Sequence, residues 1–386
     1  MDSAALLIFA LEIPSLLSSQ YRANSVGTSE IIGIAVLPYV VVRLMVRKPV
    51  QTAWLTGLLG LGASLLACFG IRQFEIDTEP LANVGLTDFV SFRSRLIHPI
   101  RGWVPGECFT VFLLTLPFAC AAAVYLWRKG SKGKGKTVSV VLTLMPVALL
   151  AGALSLSLSR AVFWSTVLFF STACGLMAVY QIVALRTCAL LLVGALGGLL
   201  VILVCESALY PDIFKAYAGS HTSQVRSTQG RLNIWSRSLE LMRGHRLWGI
   251  GSANTALFLT SSADQGETTG FASRAFSLPI QVLVEKGIIG FALYAAFLFL
   301  VGLEFHRGMR SSPSATSGRN PRSPRGNEDR LRLRNENAGK AMRCCFAAGI
   351  VAVLFRELTY SSLLEHTLTL AIAFTLAALV CADDPV

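Results

Sequence analysis

The chain has 386 residues, of which 53% are hydrophobic and 15% charged, with a formal net charge of +12. Apolar runs of about the 20 residues that cross a bilayer recur along it, which excludes a water-soluble globular fold. Those runs lack two-residue alternation, which excludes a membrane β-barrel, because in lipid each backbone polar group must be satisfied within its own segment.

The predicted fold is all-α and polytopic, with about ten transmembrane helices. In chain order the apolar runs are 4–18, 29–46, 50–70, 107–126, 137–158, 161–180, 187–206, 278–302, 344–358 and 362–380. The first is short, yet it lacks the basic start and small-residue cleavage site of a signal peptide and reads as a membrane helix. Lysine and arginine are retained on the cytoplasmic side of short connections. Arg43, Arg47 and Lys48, the cluster from Arg128 to Lys136, Arg186 and the run from Arg307 to Arg343 all fall in one alternating set. That set and both termini are assigned to the cytoplasm. The loop 71–107, the turn Ser159-Arg160, the interval 207–277 and the turn from Arg356 to Tyr360 then face outward.

The organisation follows. Residues 1–206 hold spans one to seven with the outer loop 71–107, and 207–277 form one large extracytoplasmic loop containing short helices. Residues 278–302 are the eighth span, 303–343 a basic disordered cytoplasmic loop, and 344–386 the last two spans with a short tail. Between Ser311 and Lys340 the chain is rich in Ser, Pro, Gly, Asn and Arg. It holds too little apolar surface to order itself, and its charge keeps it near anionic lipid headgroups. Topology and membrane lipid account for the positive charge, so no nucleic-acid partner is expected. The nine cysteines lie mainly within or at the ends of apolar runs, with no CxxC and no zinc-type Cys/His spacing. Neither a metal nor a disulfide framework is expected, although Cys68 and Cys108 near helix ends are compatible with a bridge.

The outward basic residues are nearly all arginine, with Lys215 and Lys286 the exceptions. Guanidinium groups bind phosphate bidentately, so this bias reads either as phosphate recognition, with Arg95 and Arg101 in the loop 71–107 as members, or as contact with headgroups. Arg160 is the sharpest case, a lone arginine between two spans with almost no loop to carry it. An ionisable residue at membrane depth is a functional candidate by default, and snorkelling is the plainer account.

In the large loop, Ser227 or Thr228 is placed to cap a helix running to about Met242, with Leu232, Trp235, Leu239 and Met242 on one apolar face. Arg226, Asn233, Arg237 and Glu240 share another face, and Arg231 flanks Trp235. Such a helix rests on the membrane domain and presents guanidinium groups beside it, or is a surface helix with Glu240 pairing to a neighbouring arginine. His245 is a candidate general base, as are His98, His221 and His366, because an imidazole titrates near neutrality. Glu75, Asp77 and Glu79 alternate, which suits either a cation or a solvated loop. Gly249 and Gly251 suit a tight turn.

Four of these places together resemble the O-antigen ligase and polymerase family of bacterial membrane glycosyltransferases: Ser159-Arg160, Arg231 with Trp235, Gly249-Ile250-Gly251, and Gln281 to Gly290. The resemblance implies a GT-C-like enzyme of the inner membrane that takes a glycan from undecaprenyl pyrophosphate on the outer face, without metal or cofactor. It implies further that Arg160 and Arg231 hold the pyrophosphate, that Trp235 packs or stacks on sugar, and that His245 takes a proton; the arginine bias adds Arg226, Arg237, Arg95 and Arg101 as substrate-binding residues. Other polysaccharide-assembly proteins are implied as partners. The sequence departs from the family where a His-Asn pair is usual, carrying Phe276 and Ser277, and where a Pro is usual, carrying Arg246. The missing histidine favours a polymerase over a ligase, and a transporter or an inactive scaffold are the readings from other classes.

Overall fold

The computed structural model describes residues 19, 22–46, 49–78, 105–129, 134–155, 159–209, 211, 221–252, 254–255, 258, 277–310, 325–358 and 367–380. Among them the chain forms the helices α1 (Arg22–Met45), α2 (Pro49–Thr78), α3 (Pro105–Lys129), α4 (Lys134–Ser155) and α5 (Arg160–Val179), followed by α6 (Leu185–Leu209), α7 (His221–Met242), α8 (Leu278–Arg310), α9 (Arg325–Glu357) and α10 (Thr367–Val380). No strand occurs among the described residues. Among the described residues six stretches are long and apolar enough to cross a membrane: Val50–Phe69, Thr110–Trp127, Arg160–Val179, Leu185–Leu209, Leu278–Arg310 and Glu336–Glu357. Ile34–Met45 and Leu144–Ser155 are shorter apolar helices. Each predicted span from the second to the tenth thus coincides with a helix, and the first, 4–18, lies outside the described residues.

The centre of the bundle is α3 against α9. Leu113, Leu114, Leu116 and Phe118 of α3 are buried, and the rings of Phe118 and Phe346 stand 5.8 Å apart. On one side α5 packs on α9 and α6 closes against α5 and α4; on the other, α10 lies on α1, α3 and α9, and α8 meets α9 and α10. Leu190, Val193, Leu200 and Val201 of α6 are all more than 60% exposed, the face of a peripheral helix turned to lipid. Helices in lipid gain nothing from excluding hydrocarbon and associate by close packing instead. At Gly349 a Cβ would collide with the Pro117 ring, so the missing side chain lets α9 close over the proline of α3. Gly349→Leu is expected to force α3 and α9 apart and destabilise by about 1–3 kcal/mol, measured as a lower thermal midpoint of the purified protein in detergent.

The structure corrects the sequence reading in three places. The segment 303–343, expected to be a disordered cytoplasmic loop, is helical at both ends, since α8 runs to Arg310 and α9 begins at Arg325. Residues 325–343 extend a helix whose later turns are anchored in the core, where Ala338, Ala341 and Met342 are buried and Lys340 meets Glu336 at 3.0 Å. Propagation from a packed helix needs no new nucleus, so a polar sequence continues it. Helix α2 also runs on to Thr78, which puts Glu75 and Asp77 two positions apart on a helix rather than on a loop, where they do not share a face. Glu79 lies outside the described residues. Cys68 is a free, exposed thiol, so the bridge to Cys108 is not made.

Candidate active site at a broken helix

Helix α8 is interrupted at Gly287, whose φ of 69° and ψ of −171° are not helical. An unbroken helix would bond the amides of Ile288 and Ile289 to the carbonyls of Val284 and Glu285. Instead Ile288 donates to the Arg246 carbonyl (2.9 Å) and Ile289 to that of Leu247 (3.4 Å). The Val284 and Glu285 carbonyls, left without their helical donors, accept from Ile250 and Gly251, each at 3.0 Å. The segment 245–251 therefore substitutes for one turn of α8, and each of these backbone groups finds a partner.

Three glycines make the crossing possible. Gly249 (φ 73°) and Gly251 (φ 92°) join Gly287 in the left-handed region. A Cβ on Gly249 would collide with the Glu285 carbonyl, and one on Gly287 with that of Leu247. The two motifs read separately in the sequence are one structural unit, and Gly249 and Gly251 do more than close a turn.

Around it lies a buried polar cluster. Glu285 is 2% exposed, and its Oε1 accepts from the Thr255 hydroxyl at 2.9 Å and the Gln281 amide at 3.3 Å. Lys286 donates to the Ser252 hydroxyl. Asn254 donates to the Ile250 carbonyl (2.9 Å) and to Ser19 (2.8 Å), tying the crossing to the N-terminal part of the chain.

Helix α7 packs on α8. It begins at His221, earlier than a cap at Ser227 or Thr228 would start it, and runs through Gly230, a residue helices tolerate. Its protein-facing side differs from the expected one. Leu232 and Leu239 are exposed, whereas Arg231, Ile234, Trp235, Leu241 and Met242 are half-buried and Ser238 is fully buried. These six recur at helical spacing, and half-buried His245 follows just beyond the helix. Contact with a broken helix rich in buried polar groups, not with a smooth apolar surface, sets that rotation. Arg231 and Trp235 are thereby brought to one side of α7, and Arg237, Glu240 and Arg243 are left exposed. Arg226 belongs to α7 with its side chain outside the described part; Arg95, Arg101, His98 and His366 lie outside the described residues.

Arg160 is the first residue of α5 and is exposed. Ser159, at the N-cap, makes no side-chain capping bond. A guanidinium at a helix N-terminus sits against the positive end of the dipole, a pairing that an anion bound between them would offset. Helix α5 packs on α9, and α9 on α8, so α9 stands between the helix of Arg160 and the one that carries α7. At its end Arg356 and Glu357, 2% and 0% exposed, form an ion pair of 2.6 Å. Buried Glu206 of α6 accepts from the Ser155 hydroxyl at 2.7 Å, near the end of the helix that leads to Arg160. The sequence reading gave no role to Glu206, Glu285, Arg356 or Glu357. Their signal was present, as ionisable residues inside or bordering apolar runs.

These features define a polytopic helical membrane protein whose polar, arginine-bearing helix rests on a broken span. Residues 145–295 match the family model described as O-antigen ligase. That stretch holds Arg160, Arg231, Trp235, Gly249, Gly251 and Gln281 to Gly290, so the resemblance read from those motifs holds at the level of the family. None of the curated proteins matches the chain.

Proposed function

We propose that the protein is a membrane glycosyltransferase that polymerises undecaprenyl-pyrophosphate-linked repeat units into O-antigen or exopolysaccharide at the outer face of the bacterial inner membrane. The match to the O-antigen ligase family over the stretch holding Arg160 and Arg231 carries this reading. An acceptor hydroxyl attacks the anomeric carbon of the donor glycan as its bond to the pyrophosphate oxygen breaks. The bonding electrons leave with the lipid pyrophosphate, whose growing charge Arg160 and Arg231 stabilise. His245, half-buried just beyond the end of α7, takes the hydroxyl proton. Arg226, Arg237, Arg95 and Arg101 extend the basic surface that draws the donor in, and the bond is broken without a metal.

A second reading, transfer of the finished glycan to lipid A core or protein, is favoured by the ligase description of the matched family. Against it stands Phe276-Ser277 where the family's His-Asn pair is usual. The break in α8 is a feature that transporters also show, but they use paired broken helices around a midplane site. Among the described helices α8 has the one interior break.

The test compares lipid-linked oligosaccharides from cells with the protein and without it. Accumulated single repeats in its absence support polymerisation, polymer still attached to its carrier supports ligation, and identical profiles remove both. Glycan joining in isolated membranes is expected to persist in excess EDTA; its loss there, with restoration by a divalent ion, would contradict metal independence.

A further inference from the structure

Buried polar side-chain atoms in folded proteins nearly always have a hydrogen-bond partner, and each one that lacks it calls for a reason. Four without one among the described residues lie on the three segments that meet at the α8 break: Trp235 Nε1 and Ser238 Oγ on α7, Asn254 Oδ1 beside the crossing, and Gln281 Oε1 on α8. Ser238 and Asn254 are 0% exposed and Gln281 is 7% exposed. The Asn254 and Gln281 amides use their NH₂ groups, on Ile250 and Ser19 in one case and on Glu285 in the other, which leaves each carbonyl oxygen to accept.

The four atoms state the chemistry of what would satisfy them. Two amide oxygens require donors, the indole N–H requires an acceptor, and a serine hydroxyl serves as either. Glu285 adds a carboxylate to the acceptor side. A pyrophosphate carries only acceptors, so it suits the arginines and not this cluster. A sugar ring carries hydroxyl groups that donate and accept, and an apolar face that suits an indole.

We propose that Trp235, Ser238, Asn254 and Gln281 form a sugar subsite at the junction of α7 with the break in α8, distinct from the arginine contacts to pyrophosphate. This rests on the glycosyltransferase reading and deepens it: guanidinium groups take the lipid phosphate, and the junction takes hydroxyl groups of the glycan on either the donor or the acceptor.

The test uses the full chain in detergent with two variants: Ser238→Ala removes one unpartnered oxygen and keeps the packing, and Trp235→Phe removes the indole N–H together with part of the ring. The probes are an undecaprenyl-pyrophosphate-glycan fraction from the source membranes and the same lipid after removal of the glycan. Each variant is expected to bind the glycan-bearing lipid about tenfold more weakly, the loss of one hydrogen-bonded hydroxyl, and the glycan-free lipid unchanged. The thermal midpoint of Ser238→Ala is expected to be unchanged or higher, because a buried hydroxyl with no protein partner stabilises nothing and its removal costs nothing.

Equal effects on both lipids, or on neither, overturn the subsite. So does a lowered thermal midpoint in Ser238→Ala, which would mark its hydroxyl as held by structural water. Competition by the free glycan places the subsite on the acceptor side; its failure to compete places the subsite on the donor glycan. An Arg231→Ala variant that binds both lipids normally overturns the pyrophosphate role alone and leaves the sugar-dependent difference readable.

Discussion

Arg231→Ala is expected to lower glycan joining by about a hundredfold or more while leaving the protein folded in the membrane, the loss typical of removing one charge-stabilising donor from a transition state. Arg231 is half-buried on the side of α7 that carries Trp235 and Ser238, and charge is screened less at a partly buried site than in open water. Arg231→Lys keeps the charge but not the planar pair of donors and is expected to recover only part of the activity. Exposed Arg237 and Arg243 are the contrast: alanine there is expected to weaken joining severalfold at most, through lost attraction of the anionic donor. The measurement is the distribution of lipid-linked repeats and polymer in membranes holding equal amounts of each variant. Equal activity of Arg231→Ala and wild type would end the electrostatic account.

The second large effect is structural. Gly287→Ala would put a methyl group against the Leu247 carbonyl at a φ of 69° that L residues avoid at roughly 1–2 kcal/mol. Relief requires moving the 245–251 segment, and with it the four backbone hydrogen bonds that join it to α8. A total of about 3–5 kcal/mol is expected, with glycan joining lost at the same time because α7 and the crossing share α8 as their support. Gly249→Ala meets the Glu285 carbonyl from the other side and is expected to behave alike. Gly302→Ala, later in the same helix with nothing within 4 Å of its added Cβ, is the control and is expected to be neutral or slightly stabilising. These are read from thermal midpoints in detergent beside the oligosaccharide profile. A Gly287→Ala protein as stable as the control would show that the crossing does not need the left-handed backbone.

Much of the membrane architecture was legible because it depends on local quantities. Run length and apolar content marked the helices from α1 to α6 and from α8 to α10, since a span must satisfy its own backbone. The pattern misled where a neighbour decides the outcome. Leu232 and Leu239 suggested a docking face by periodicity alone, yet α8 presents buried polar groups, and α7 turns Arg231, Trp235 and Ser238 to it. The basic segment after Arg310 looked too polar to order, yet its second half continues a helix nucleated in the core.

By itself the sequence determined that this is a helical membrane protein, where its helices run, and which motifs place it near the O-antigen ligases, because hydrophobicity, charge and glycine placement are properties of the chain. Only the tertiary structure decided that Gly249-Ile250-Gly251 and Gln281 to Gly290 are two halves of one crossing, and which side of α7 meets it. The physical reason is that hydrogen bonds between segments some thirty-five residues apart answer to where the chain returns in space. No periodicity within either segment records that.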